Sequence, residues 1–216
     1  MASHIRRPKS VKDEATAELK KLKSQLNSID EHVETIATSI EETRQYSNKY
    51  NVKIIGVPQL NSRESAVETT QLCIKLFNKL GIEVSQHDID IAHRVSVRRA
   101  SAGPKPIIFK FVRRVLKEQI MIVRKDISKL QAGDIGLELV GTLEDARILD
   151  HLTPNVQRLL AEAKMYQRQH NYRFCWVKNY VILLRENEQS DPIQINSLND
   201  LVNLHEAGNL LAYYPY

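Results

Sequence analysis

The stretch LKKLKSQLNSIDEHVETIATSI, residues 19–40, sets the organisation of the whole chain. Its apolar residues recur at alternating intervals of three and four residues, which is the a/d pattern of a left-handed coiled coil. This seam consists of Leu19, Leu22, Leu26, Ile29, Val33, Ile36 and Ile40. Because no nearby segment offers a matching helix, the sequence predicts that the seam is buried between copies of the chain.

The residue types in the seam favour more than two chains. β-branched residues at d positions, here Ile29 and Ile36, pack poorly in parallel dimers and shift the preference toward three or four strands. The sequence therefore predicts a parallel coiled coil that forms a homotrimer. The alternative is a single amphipathic helix lying on its own globular domain, which the strict period of roughly 3.5 residues disfavours.

The basic residues of the chain are unevenly distributed. The formal net charge is +5, and residues 94–129 hold eleven Lys and Arg residues but only two acidic ones, Glu118 and Asp126. Such a local excess is typical of a surface that binds a polyanion, and it predicts nucleic acid as the partner. The alternative interpretation is a solvated surface on a coiled-coil scaffold whose small domains bind protein partners.

Residues 51–150 alternate between strand-like and helical patterns. The predicted strands are residues 52–58, 89–95 and 106–111, and the predicted helices are residues 65–80 and 114–127. Two segments, 135–140 and 146–149, qualify as a fourth strand, and the second is preferred because a helix starts cleanly after it at Thr153-Pro154. The resulting order, β-α-β-β-α-β, predicts the sandwich of RNA-recognition-type (RRM-like) domains.

Residues 151–208 are expected to form a second, smaller α+β unit. A helix is predicted from Pro154 to His170, followed by a hairpin that turns at Lys178-Asn179. A last helix, capped by Ser197, reaches His205. The fold class is thus α+β, with an N-terminal extension that is disordered or derived from expression sequence (1–11), a coiled coil (12–50), the RRM-like domain (51–150), a C-terminal nucleic-acid-binding domain (151–208) and a tail (209–216).

The aromatic residues with which RRM-like domains stack bases are missing. When the third-strand signature of these domains is aligned on Phe111, the exposed stacking positions fall on Pro106 and Ile108, and the position in the first strand falls on Lys53. Phe109 and Phe111 then belong to the buried face. Binding is therefore expected to depend on basic side chains that contact phosphates, and the domain is a variant of the usual form.

Common catalytic and metal-binding motifs are absent. There is no H-E-x-x-H, G-x-S-x-G, P-loop, C-x-x-C or EF-hand pattern, so no enzyme activity, cofactor or metal is expected. Cys73 and Cys175 lack ligand-type neighbours and are expected to be buried free thiols in a reducing compartment. The sequence shows no apolar run that predicts a membrane span.

An ordered set of short segments behind the coil carries a family resemblance. The segments are NVKIIGVP at 51–58, AHR at 92–94, KPIIFKF at 105–111, DHLTP at 150–154 and FCWVKN at 174–179. Over residues 12–205 the chain resembles the first-open-reading-frame protein of LINE-type non-LTR retrotransposons. The last two segments are also similar to the C-terminal part of baculoviral few-polyhedra proteins. The chain departs from this pattern in two places: Asn179-Tyr180 stands where related sequences often have Asn-Gly, and no zinc knuckle follows.

The resemblance implies a function. It implies a trimeric nucleic-acid chaperone that binds single-stranded RNA, and single-stranded DNA as well, and that packages the RNA of the element into a ribonucleoprotein particle. The implied location is cytoplasmic ribonucleoprotein particles, with entry into the nucleus as an open alternative.

The nucleic-acid-binding residues are predicted from charge and position. They are Lys53, Arg94, Arg98, Arg99, Lys105, Lys110, Arg113, Arg114, Arg158, Arg173, Trp176 and Lys178. Phe174 and Trp176 alternate onto the same strand face, which is either core or exposed. If Trp176 lies in a cleft between the two small domains, it offers a stacking surface that the first sheet lacks; if it packs with Phe174 in the core, it does not.

Overall fold

The computed structural model describes residues 11–95, 103–138 and 140–213. The first element is the helix α1, Val11–Asn48, which ends where the coil was predicted to fray. The chain divides into two compact units after Thr43. Residues 1–10 of the predicted N-terminal extension (1–11), Arg98 and Arg99 in the basic loop, and residues 214–216 of the tail lie outside the described residues, and Val11 already belongs to α1.

Within the second unit, a four-stranded antiparallel sheet follows α1. Its strands are β1 (Asn51–Ile55), β2 (Ile89–Arg94), β3 (Ile107–Phe111) and β4 (Arg147–Asp150), in the spatial order β2-β3-β1-β4. Between them lie the helices α2 (Ala66–Lys79) and α3 (Arg114–Val123), and 3₁₀ turns at Arg124–Lys129 and Ala132–Ile135. The preference for residues 146–149 as the fourth strand is thus confirmed, because part of the competing segment forms a 3₁₀ turn.

The core of this sheet is built on an aromatic cluster. Phe109 and Phe111, two residues apart on β3, project to the same face, and Phe77 of α2 packs on both. The Phe77 and Phe109 ring centroids are 4.9 Å apart, and those of Phe109 and Phe111 are 4.6 Å apart. Ile120 of α3 joins the same core, so both helices cover one face of the sheet and leave the other face without a helix from this part.

A three-stranded antiparallel sheet forms the C-terminal part. The elements are α4 (Pro154–Gln169), β5 (Phe174–Lys178), β6 (Val181–Arg185), β7 (Ile193–Ile195) and α5 (Leu198–Tyr213), with the strands in the order β5-β6-β7. Thr153 caps α4, and Pro154 occupies its first turn, as the sequence predicted. Ile182 and Leu184 of β6 are buried against α4. This part therefore also consists of helices packed on a sheet.

The hairpin turn lies one residue later than predicted. Lys178 still pairs with Val181, so the turn consists of Asn179 and Tyr180, at φ 52° and 69°. Two successive left-handed residues are the type I′ geometry, which usually selects Asn-Gly. Here the Tyr180 hydroxyl donates to the His151 carbonyl oxygen at 3.0 Å, and this contact helps to hold a tyrosine where glycine is favoured.

The expected exposure of Pro106 and Ile108 was wrong. Both residues are buried, and Ile108 is only 7% exposed. Ile108 lies on the central strand β3, where its neighbours in register are Lys53 on β1 and His93 on β2. Their long side chains flank it on the face that carries no helix of this part. Among the described strand residues, the centre of that face therefore carries no Phe, Tyr or Trp side chain and no open apolar surface.

None of the described helices is long and apolar enough to span a membrane. Both cysteines are free; Cys73 is buried and Cys175 is half-buried.

Candidate functional site

A cleft of about 400 Å³ lies where the edge strand β4 approaches α4 and β5. Its apolar lining includes Leu149 and Leu152 from the β4 end and Leu160 and Val177 from the C-terminal part. The volume is within the range of small-ligand sites, which are mostly apolar with a few polar groups. The cleft is thus formed by both sheets of the second unit.

Trp176 lines this cleft and is not part of the C-terminal core. Along β5, Cys175 and Val177 pack against the core, and the side chains of Phe174 and Trp176 alternate to the other face. Trp176 is half-buried. Of the two placements that the sequence left open, the structure has the one in which the tryptophan borders the cleft.

Three basic side chains surround the cleft. Lys53 on β1 is half-buried, whereas Arg124 and Lys164 are exposed at residues that also line the cleft. The acidic residue of the lining is Asp150, whose carboxylate accepts a hydrogen bond from the buried Lys117. The cleft therefore combines an aromatic ring, apolar walls and an excess of positive charge.

The charge of Lys53 also affects a neighbouring histidine. The Asn51 amide and His151 Nδ1 are 3.1 Å apart, and because an amide N–H donates, His151 accepts as the neutral imidazole. Burial lowers the pKa of His151, and the positive charge of Lys53 and the nearby His93 lower it further. The junction between the two sheets thus favours an uncharged His151.

Most of the other predicted residues lie on the surface. Lys105, Arg158 and Lys178 are exposed, and so are Arg113, Arg114 and Arg173, which pair with Asp88, Glu118 and Glu188 respectively. The Arg173 guanidinium also lies 5.3 Å from the Phe174 ring centroid. Lys110 pairs with Asp90 at 2.7 Å. The pairs of Arg114 and Arg173 are exposed on both sides and contribute little to stability, so these two cations can exchange one partner for another, whereas Arg113 pairs with a buried carboxylate.

Arg94 is placed differently from the others. Its side chain is only 6% exposed and forms an ion pair with Glu64, whose side chain is fully buried. The guanidinium also donates to the carbonyl oxygens of Val57, Pro58 and Lys105. Burial would raise the pKa of Glu64, but hydrogen bonds from Arg94 and Thr69 outweigh it and lower the pKa. The expectation of a binding role for Arg94 is corrected, because all of its donors face inward.

The seam residues of α1 are all exposed on the single chain. Their exposed fractions lie between 47% for Ile40 and 67% for Leu19. A continuous apolar stripe of this length is unusual on a lone helix.

Sequence reasoning missed Arg124 and Lys164 as members of the cleft. Gln157, Leu160 and Lys164 are spaced i, i+3 and i+7, so they share one face of α4, and this spacing was a usable signal. Which way that face points depends on how α4 packs, and the sequence does not show it. Within the described part of the chain, no group of three or more His, Cys, Asp or Glu side chains could hold a metal ion.

The comparisons with known proteins concern the C-terminal part. Residues 153–205, from the cap of α4 into α5, match the family described as Baculovirus FP protein domain 2. No curated protein matches the chain. The similarity to baculoviral few-polyhedra proteins that the sequence indicated is therefore confirmed for these residues.

Proposed function

We propose that this protein is a homotrimer that binds single-stranded nucleic acid through the cleft beside Trp176. We further propose that it acts as a nucleic-acid chaperone that packages the RNA of a LINE-type element into a ribonucleoprotein particle. The observation that carries the proposal is that Trp176 lines the same cleft as Lys53, Arg124 and Lys164. Aromatic stacking beside cations is how sequence-tolerant proteins hold unpaired strands.

The topology of the four-stranded sheet supports an RRM-like assignment. Such domains have the connectivity β-α-β-β-α-β with both helices on one face, and here α2 and α3 share one core with the sheet order β2-β3-β1-β4. The usual stacking face of this domain carries Lys53, His93 and Ile108. The bases of a single-stranded nucleic acid cannot stack on that face, so they need another aromatic surface. Trp176 supplies one at the neighbouring cleft.

The exposed seam of α1 supports the trimer. The seven apolar side chains of the seam are exposed on the single chain, so burying them requires partner helices. Each such residue stabilises an assembly by about 1.5–3 kcal/mol when it is fully buried. Three binding clefts on one particle would then act together on a long RNA, which raises avidity without any new contact.

The sole tryptophan of the chain makes a direct test possible. Titration with a single-stranded oligonucleotide is expected to quench the fluorescence of Trp176, and binding should weaken linearly with salt on a log-log plot. Trp176→Ala should lower the affinity by about 1–3 kcal/mol. Binding without any change in fluorescence would show that the strand lies elsewhere.

The contribution of the cations is tested with a matched pair. Lys164→Gln removes an exposed charge at the cleft and should reduce the salt slope by about one. Lys125→Gln removes an exposed charge outside the cleft lining and should leave the slope nearly unchanged. Equal effects would indicate a diffuse basic surface, and no binding at all would favour the protein-binding scaffold.

A further inference from the structure

The acidic residue in the cleft is difficult to explain by phosphate binding. Asp150 ends β4, its side chain is 22% exposed, and it lines the same cleft as Lys53 and Lys164. A carboxylate repels a phosphate that is bound in the same cleft. Lys117 donates to Oδ1 alone, so Oδ2 is available to accept a hydrogen bond from a ligand.

A second acceptor lines the cleft on the first turn of α4. The Gln157 amide nitrogen Nε2 donates to the Leu152 carbonyl oxygen at 2.7 Å. Because a carbonyl only accepts, this bond fixes the orientation of the amide and leaves Oε1 as an acceptor. The polar side chains of the cleft are thus of two kinds, cations suited to phosphates and acceptors suited to N–H groups.

The size and walls of the cleft suit a single base. A volume of about 400 Å³ is enough for a single base. Leu149 and Leu160 provide apolar side chains for the faces of a ring, and Trp176 provides an aromatic one. A ring held between them directs its edge toward polar side chains of the lining.

We propose that the cleft selects an unpaired base that carries an exocyclic amino group, and that Asp150 and Gln157 accept its hydrogen bonds. The inference rests on the proposed function and deepens it. Cytosine, adenine and guanine each carry an amino donor, whereas the donor of uracil is its N3–H, which lies between two carbonyl oxygens that the carboxylate repels. Asp150 then has two roles: Oδ1 holds Lys117, and Oδ2 reads the base.

The test compares oligocytidylate with oligouridylate of equal length, roughly 16 nucleotides. The two have the same charge and are both pyrimidines, and at mildly alkaline pH cytosine is unprotonated. A hydrogen bond to a charged group predicts about tenfold tighter binding of oligocytidylate. Equal affinities would overturn the inference and leave the proposed function standing, whereas failure of both oligomers to bind would overturn the proposed function itself.

A variant tests which residue makes the choice. In Asp150→Asn the amide oxygen still accepts from Lys117, while the amide nitrogen turns a donor toward the base, so the preference should disappear or reverse toward oligouridylate. Asp145→Asn makes the same chemical change at an exposed residue just before β4 and should keep the tenfold preference. An Asp150→Asn protein that still prefers oligocytidylate would overturn the role of Asp150.

Asp150→Asn removes the ion pair with Lys117 and should also lower stability, so Gln157→Leu provides a second variant. Gln157 is exposed, and its replacement should reduce the preference for oligocytidylate severalfold with little change in melting temperature. An undiminished preference in Gln157→Leu would exclude Gln157 as a reader.

Discussion

The arginines of this chain serve two purposes: Arg94 stabilises the interior through its pair with Glu64, whereas Arg114 lies on the surface. The pair is buried, with side-chain exposures of 6% and 0%, whereas Arg114 is 45% exposed and pairs with Glu118 at 3.3 Å. We expect Arg94→Met to lower the free energy of unfolding by about 3–5 kcal/mol, because Glu64 is left as an unpaired buried charge. The matched change Arg114→Met should cost less than about 1 kcal/mol.

Denaturant unfolding measures the loss of unfolding free energy in the two variants. RNA affinity, measured at low temperature where the protein is folded, shows whether Arg94 also contributes to binding. The Arg94→Met protein should bind RNA normally when folded. An Arg94→Met protein of normal stability and reduced affinity would restore this arginine to the binding surface.

His151 makes stability depend on pH. Because its pKa is lowered in the folded protein, the unfolded chain takes up a proton more readily. The contribution of the neutral His151 to the free energy of unfolding is fully present above the ordinary histidine pKa near 6.5. This contribution should be lost as the pH falls from about 7 toward 5. Melting temperatures across this range check the prediction.

The His151→Gln variant should flatten this part of the pH profile, since the glutamine carbonyl can still accept from Asn51 but does not titrate. The exposed histidine His87 is the control, and His87→Gln should leave the profile unchanged. An unaltered profile in His151→Gln would place the titration elsewhere.

At the scale of elements, two glycines with similar backbone angles differ in their surroundings. Gly56 follows β1 at φ 75°, and a Cβ there would lie 2.2 Å from the carbonyl oxygen of Asp145, just before β4. Gly81 follows α2 at φ 82° with open space around it. We expect Gly56→Ala to destabilise by about 3 kcal/mol or more and Gly81→Ala by only about 1 kcal/mol.

Thermal unfolding of the two glycine variants checks this ranking. The two variants should differ in stability because the end of β1 at Gly56 lies directly against the chain before β4, where there is no room for a side chain. The helix end at Gly81 requires only the left-handed conformation. Similar costs for both would mean that backbone angle alone matters and that the chain near Asp145 can move.

At the scale of the whole molecule, the seam of α1 determines the number of copies that we propose. Ile29→Asp combined with Ile36→Asp places charge in the seam and should produce monomers, since an unpaired buried charge costs several kcal/mol. Sedimentation measures the mass. The control Glu34→Asp, at an exposed position outside the seam, should remain trimeric.

Monomerisation should also weaken binding to a long RNA by about 100-fold or more and leave binding to a short oligonucleotide nearly unchanged, because only a long strand engages several clefts. Equal losses on both would show that the clefts do not act together.

What the sequence determined by itself is local. The apolar period of α1, the cap Thr153 with Pro154 and the β-rich run on β3 predicted helices and strands close to their observed bounds. These signals succeed because helix periodicity, capping and strand alternation depend on residues a few positions apart. Even the family similarity lies in one contiguous segment, residues 153–205.

What only the tertiary structure decided is which chemically similar residues face which neighbours. Arg94 is internal and Arg114 is exposed, although both lie in the same basic stretch. Trp176 borders the cleft because β5 is an edge strand of its sheet and approaches β4 there. Contacts between residues as distant as Lys117 and Asp150 depend on how the elements pack, and packing leaves no periodic mark in the sequence.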